Sequence, residues 1–151
     1  MLSTELAALY SRDLARLVQE LEAFPDSSAL WQIAPGVTNA AGTLALHLEG
    51  NLREYVGRQL GHLEYTRDRP LEFSQRGVEK VDLIARIESV RALIPRVIEG
   101  LPEEALAATY PEQVVGVPMS TRQFLIHLAG HLNYHLGQIN YLRRMTTGNS
   151  V

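Results

Sequence analysis

The sequence contains no cysteine among its 151 residues. Disulfide bonds, thiolate metal ligands and a protein thiol nucleophile are therefore excluded. Any metal ion that the chain binds must be coordinated by histidine, aspartate, glutamate or water. Positive charge is also scarce, since 14 Lys and Arg stand against 17 Asp and Glu and the net charge is −3. This balance argues against a general binder of nucleic acid or of anionic membranes, because such proteins need a positive field.

Long apolar runs are missing as well, and no stretch approaches the length that a bilayer requires. The first residues, MLSTELAALYSRDL, lack the cationic start of a signal peptide and carry Glu5 and Arg12 within an apolar helical pattern. We therefore expect a cytoplasmic protein. Its 46% hydrophobic and 21% charged residues are typical of a globular chain, and its length predicts one domain over residues 1–151.

Apolar residues recur at helical spacing through most of the chain. The pattern predicts four long helices: one that ends before Pro25, a second over residues 40–60, a third over residues 78–98 and a last over residues 121–145. Asn39 is the predicted N-cap of the second helix, and Ser120 with Gln123 fits a capping box at the start of the last one. Four long helices predict an all-α four-helix bundle.

Two segments between these helices are predicted to be a loop and a partly irregular connection. The sequence RDRPLEFSQRG, residues 67–77, is polar and is expected to be a loop between the second and third helices. Residues 103–118 are expected to form a long connection before the last helix, with a short extended piece at the valines of residues 114–117.

Three of the five histidines, His127, His131 and His135, stand four residues apart in the last helix. Four residues advance a helix by about 400°, so these side chains lie almost above one another. His131 and His135 fall within the apolar arc of the helix, whereas His127 falls at its margin. Two inward imidazoles one turn apart can share a cation, as in the HExxH helix that binds zinc. Leu132 stands where that motif has its catalytic glutamate, so a protease of this kind is not expected.

The second helix offers a third ligand, His47, which lies beside the apolar face of LALHLEGNL. From periodicity alone, a role as hydrogen-bonded core residues stays open for these histidines beside metal binding. Asn51, one turn beyond His47, is a candidate partner for a ligand nitrogen or a bound water, and so is Gln138. Glu54 is another candidate, although we expect it to be a solvated surface charge.

The last helix has a second uncharged side beyond its apolar arc. Ile126, Tyr134 and Tyr141 belong to it, together with Gly130 and Gly137, whose spacing would let a neighbouring backbone approach closely. Core or subunit packing is the first expectation for the two tyrosines, and lining of a pocket is the second. One bundle does not need both sides of a helix buried, so the sequence predicts a homodimer.

Two segments resemble a known family. HLNYHLGQI, preceded by LIHLAG, resembles the C-terminal signature of the DinB-like superfamily, and GVTNAAGTLALHLEGNLREYVG resembles the second helix of its DUF1572-type branch. The resemblance implies a bundle of up-down-down-up type with a long connection before the last helix. It also implies a divalent metal on His47, His131 and His135, with His127 as an alternative ligand or a group behind the ligands. Zinc is the expected ion, and nickel, iron and manganese are compatible with imidazole ligands.

The same resemblance directs the functional expectation. Related branches include S-transferases and isomerases that use low-molecular-weight thiols, which implies a thiol-dependent S-transferase acting on small electrophiles. A metal-dependent hydrolase is one alternative, and a non-catalytic, stress-related metallo-bundle dimer is the other. A coordination site that is open to solvent would favour the two enzymes, and a site closed by protein ligands would favour the non-catalytic metallo-bundle. Small molecules are the expected partners, and neither nucleic acid nor a membrane is expected.

Overall fold

The computed structural model describes residues 1–150, and its regular elements are helices. In chain order they are α1 (Leu2–Glu22), α2 (Ser27–Leu30), α3 (Ala41–Leu52) with a π-helical continuation over Arg53–Arg58, α4 (Arg69–Ser74), α5 (Lys80–Glu99), α6 (Glu103–Ala107) and α7 (Thr121–Thr147). None of the helices within residues 1–150 combines the length and the apolar character needed to cross a bilayer.

Helices α1 and α7 run parallel to one another. The Tyr10 hydroxyl donates to the carbonyl oxygen of Leu125 at 2.7 Å, and farther along both helices Asn140 donates to the Glu20 carboxylate at 2.6 Å. Helix α5 runs the opposite way, because Lys80 at its start donates to a carbonyl oxygen at the end of α1.

Helix α3 is antiparallel to α7. The ring of Tyr55, in the π-helical continuation, packs edge-on against Phe124 in the first turn of α7. Two turns earlier on α3, the His47 ring meets His131, which lies farther along α7. This antiparallel crossing brings the one histidine of α3 level with the pair on α7.

Helix α3 is parallel to α5, because Glu49 pairs with Arg86 and Arg53 reaches Ser89 one turn later on both helices. Both α1 and α3 pack against α5 and α7, so they occupy opposite corners of the bundle. Together the four directions give an up-down-down-up order. The predicted all-α four-helix bundle of this type is confirmed.

Helix α3 is buried along its whole length, from Ala41 to Leu52. A helix that packs on α5 and α7 alone would keep an exposed side, but α4 covers that side. The expectation of a loop over residues 67–77 is therefore wrong. Asp68 caps α4 by accepting from the backbone N–H of Leu71 at 2.9 Å, and Pro70 occupies its second position, where a missing N–H costs nothing.

Several local expectations differ from the structure. The N-cap of α3 is Ala40 without a side-chain hydrogen bond, and Asn39 does not cap it. Residues 114–117 form no strand, and the one isolated bridge within residues 1–150 joins Thr109 to Ser120. Gly130 and Gly137 face open space, so no neighbouring backbone approaches them. The predicted capping box at the start of α7 is confirmed.

The expectation that Glu54 is a solvated charge is also wrong. Glu54 is buried and forms an ion pair with Arg58, one turn later in the π-helical segment. The connection before α7 covers this part of the chain, since the Tyr110 hydroxyl donates to the Tyr55 carbonyl oxygen at 2.8 Å and Arg58 also reaches Glu112. A helical wheel for one helix does not include such a covering segment, so it misassigns Glu54 to the surface.

Candidate metal centre

Three imidazole rings converge between α3 and α7. The Nε2 atom of His131 lies 3.1 Å from Nε2 of His47 and 3.1 Å from Nε2 of His135. Zinc–imidazole bonds of about 2.0–2.1 Å in a tetrahedral arrangement would space such nitrogens about 3.3–3.4 Å apart. Within residues 1–150, these histidines form the one group of three or more potential ligand residues whose ligand atoms all lie within 4.8 Å of one another.

The helices determine this convergence. His131 and His135 are one turn apart on α7 and half-buried, whereas His47 is buried on α3 and faces them across the helix pair. The His47 ring also contacts Phe73 of α4, with ring centroids 4.9 Å apart. His47 was predicted to lie at the margin of an apolar face, and α4 packing over this margin is what buries it.

Two of the rings have their tautomer set by an oxygen atom behind them. The Nδ1 atom of His47 lies 2.9 Å from a carboxylate oxygen of Glu72, and Nδ1 of His135 lies 2.7 Å from the side-chain oxygen of Gln138. Because these oxygens accept, each neutral ring carries its hydrogen on Nδ1 and turns the lone pair of Nε2 toward the centre. This is the usual arrangement behind a metal-bound histidine.

The three nitrogens that face one another carry too few N–H groups to satisfy each other by hydrogen bonds. His131 Nε2 lies between two nitrogens that both carry lone pairs, and a single N–H can be directed at one of them only. His131 Nδ1 is buried and has no hydrogen-bond partner, so no other group fixes this tautomer. A cation at the centre would accept all three lone pairs at once. The three residues therefore fit a divalent metal ion by the chemistry of their donor atoms.

Burial also keeps these rings neutral. Burial, followed by the nearby His135 and His47, lowers the pKa of His131 to about 4. Burial lowers the pKa of His135 as well, and the hydrogen bond to Gln138 only partly opposes this shift. Neutral imidazole is the form that binds metal, so both rings are in the ligand form at neutral pH.

Glu72 supports His47 as an ionised carboxylate. Burial alone would raise the pKa of Glu72, but the hydrogen bonds from His47 and Arg67 outweigh it and hold this pKa below its usual value. Arg67 donates from Nε and Nη2 to the two carboxylate oxygens, at 2.7 and 3.1 Å. Gly50 makes room for the pair, because a Cβ at this position would lie 2.0 Å from Glu72 Oε1.

Glu72 was not predicted as part of the site, because residues 67–77 were expected to form a loop. The available signal was Asp68 followed by Pro70, an N-cap and a first-turn proline that together predict a short helix. Gln138, in contrast, was proposed as a hydrogen-bond partner of a ligand nitrogen, and it lies at His135 as that proposal requires. Asn51 bonds to no ligand nitrogen, and its side-chain oxygen is buried without a partner.

His127 lies outside the group of three. Its side chain is exposed, and its ring stacks on Phe124 with centroids 5.9 Å apart. It still lines a cavity of about 300 Å³ that opens beside His47 and His131. Of the three histidines in the α7 column, the structure therefore brings His131 and His135 to the centre and leaves His127 at the cavity wall.

A second cavity reaches the opposite side of the group. It has a volume of about 450 Å³ and is lined by His135 and Gln138 together with Val37, Thr38, Asn39, Leu44, Tyr134, Tyr141, Leu142 and Met145. Tyr134 and Tyr141 are 65% and 67% exposed, so they belong to a cavity wall at the surface and not to the core. The three imidazoles are thus bordered by a polar cavity and by a largely apolar one.

Comparisons with known proteins agree with this architecture. The sequence profile of a family described as the DinB superfamily matches residues 9–139. The crystal structure of a conserved protein from Enterococcus faecalis superposes with a TM-score of 0.76 at 18% identity, and the match covers 95% of this chain and 96% of that chain. At this identity the likeness shows the fold alone. No curated protein matches the chain.

Proposed function

The chain belongs to the DinB superfamily, and from this premise we propose that it is a divalent-metal-dependent enzyme, a thiol-dependent S-transferase that acts on small electrophiles. The observation that carries the proposal is the convergence of three imidazoles beside two open cavities. A metal that only stabilised the fold would need no access from outside. Open access at His47, His131 and His135 therefore favours an enzyme over a non-catalytic metallo-bundle.

The protein's own residues would hold and orient the ion. His47, His131 and His135 are the proposed ligands, and zinc is the first choice, with nickel, iron or manganese compatible with the same nitrogens. Three neutral ligands would leave the full charge of a bound ion available to acidify a thiol or a water. Glu72 and Gln138 keep His47 and His135 turned toward the centre, and Arg67 keeps Glu72 in place.

The absence of cysteine directs the proposal toward a small-molecule thiol. A transferase of this kind needs a nucleophilic sulfur, and this chain contains none apart from its methionine thioethers. The apolar cavity beside His135 suits the body of an electrophile, whereas the polar cavity beside His47 and His131 suits a hydrophilic thiol. The two reactants would then meet at the imidazoles from opposite sides.

A metal-dependent hydrolase is the second candidate, and the position of His127 favours it. This exposed ring lines the same cavity as His47 and His131. An imidazole in this position can act as the general base that activates a water molecule. In a transferase the same ring would have no required role, so the effect of His127→Ala on the reaction separates the two candidates.

The test is a conjugation assay on protein reconstituted with zinc. A panel of low-molecular-weight thiols is mixed with a small alkylating electrophile, and the thioether product is measured by mass spectrometry. We expect the product to form faster with wild type than with the His131→Ala variant, and His127→Ala to retain most of the rate. No acceleration with any thiol, together with ester or amide hydrolysis that His127→Ala abolishes, would replace the transferase by the hydrolase.

A further inference from the structure

The polar cavity beside His47 and His131 has a positively charged wall. Two arginines, Arg67 and Arg69, line it, and none of the described residues that line it is acidic. This is unusual in a chain whose net charge is −3. A cavity wall with cations and no carboxylates attracts anionic ligands.

The two arginines are not equivalent. Arg67 donates to both oxygens of Glu72, so its charge is compensated by that carboxylate. The Arg69 guanidinium lies over the Phe73 ring, 5.1 Å from its centroid. Among residues 1–150 no carboxylate lies within ion-pair distance of Arg69, and its side chain is exposed. Arg69 therefore contributes the uncompensated charge of this wall.

Asn51 provides an independent polar feature in the same cavity. Its side chain is only 6% exposed and lines the cavity one turn after His47. Its side-chain oxygen is buried without any hydrogen-bond partner. A buried amide that lacks a partner costs free energy, and most such groups in folded proteins are satisfied. A ligand in the cavity that carries an N–H or O–H donor would supply the missing hydrogen bond.

We propose that this cavity binds a small carboxylate-bearing ligand, with its carboxylate on Arg69, an N–H or O–H donor at the Asn51 side-chain oxygen and its opposite end at the three imidazoles. The proposal rests on the proposed function in one respect, since it makes the carboxylate a feature of the small thiol that the enzyme uses. Arginine suits this task because its planar donors match the two oxygens of a carboxylate. A neutral thiol of equal size would lack this contact.

The experiment compares matched probes by NMR titration of isotope-labelled protein. In the zinc-loaded protein, 3-mercaptopropionate is compared with 3-mercapto-1-propanol, which lacks the carboxylate. In the zinc-free protein, butyrate is compared with 1-butanol, so that neither a thiol nor a metal takes part. We expect each carboxylate to bind more tightly than its alcohol, by about tenfold or more for the zinc-loaded pair, and to shift the signals of the residues that line the cavity.

Variants of Arg69 decide whether this residue is responsible. Arg69→Ala and Arg69→Gln should both remove the preference for the carboxylates. Arg96 is an exposed arginine on α5 that does not line the cavity, so the control variant Arg96→Ala should retain this preference. Thermal unfolding confirms that each variant folds, and Arg69→Gln keeps most of the side-chain length. Wild type without a preference, or an Arg69 variant that keeps it, would overturn the proposal. A protein that binds no zinc but prefers butyrate through Arg69 would refute the metal enzyme and retain the carboxylate site.

Discussion

Replacing Gly50 with alanine should displace Glu72 from His47 without touching any of the three imidazoles. An alanine Cβ at residue 50 would lie 2.0 Å from Glu72 Oε1 and 2.6 Å from its Cδ, well inside van der Waals contact. Glu72 is held on its other sides by Arg67 and His47. The carboxylate must therefore move, and His47 then loses the acceptor that orients its ring.

The size of the effect follows from two contributions. Loss of an oxygen behind a metal-bound histidine weakens metal affinity by about 10–100-fold, which is about 1.4–2.7 kcal/mol. Overpacking destabilises the fold by about 1–3 kcal/mol, and replacing a helical glycine with alanine offsets about 0.5–1 kcal/mol of this. Gly50→Ala should thus bind zinc about 10–100-fold more weakly, while the free energy of unfolding of the zinc-free protein falls by no more than about 2.5 kcal/mol.

A competitive titration with a zinc chelator measures the affinity, and thermal unfolding of the zinc-free protein measures the stability. Gly57→Ala is the matched control, because a Cβ there would make ordinary contacts at 4.0 Å. In a Glu72→Ala background the clash is absent, so Gly50→Ala should no longer reduce zinc affinity. A Gly50→Ala protein with wild-type zinc affinity would refute the role assigned to Glu72.

Three further predictions follow from the same geometry. His135→Ala should abolish tight zinc binding, whereas His127→Ala should weaken it by about 10–100-fold or leave it unchanged. Titration of both zinc-free variants with zinc checks this prediction. If the His127 variant loses the metal and the His135 variant keeps it, the site lies one turn nearer the start of α7. The pKa of His131 is about 4 in the folded protein, below the value of about 6.5 in the unfolded chain. The stability that this residue contributes is therefore present above pH about 6.5 and is lost as the pH falls toward 4. The melting temperature of the zinc-free wild type should therefore fall more over this window than that of His131→Leu, and equal falls in both proteins would contradict it. We also propose a homodimer through the exposed side of α7, where Ile126, Tyr134, Tyr141 and Met145 are 57–67% exposed. The apolar cavity that Tyr134, Tyr141 and Met145 line would then open at the edge of this interface. Light scattering should give twice the chain mass for wild type and a monomer for Tyr141→Glu, and a monomeric wild type at micromolar concentration would count against the dimer.

The long helices and the histidine pair on α7 were accessible from the sequence because both depend on spacing within one element. His131 and His135 are one turn apart in any α-helix, and the apolar arc shows which side faces inward. The inward position of His47 was harder to predict, because it lies at the margin of the apolar face of α3. Its burial depends on α4, which packs over α3 from a separate part of the chain.

Glu72 and Glu54 show why the rest of the site was not predicted. Both are charged residues that the structure buries, Glu72 against Arg67 and His47, and Glu54 against Arg58. Sequence patterns place charges at the surface unless a partner is known, and for Glu72 the partner His47 is 25 residues away. The pairing of Glu72 with His47 and the covering of Glu54 by the connection before α7 both arise from tertiary packing, and local periodicity encodes neither.

The metal content of the purified protein tests the central claim most directly. Elemental analysis after expression in zinc-supplemented medium should find about one divalent ion per chain in wild type. The His47→Ala, His131→Ala and His135→Ala variants should each have lost it, while Arg96→Ala should retain it. Full metal content in the three histidine variants, or no ion in the wild type even after dialysis against zinc, would contradict the assignment of a metal centre to these residues.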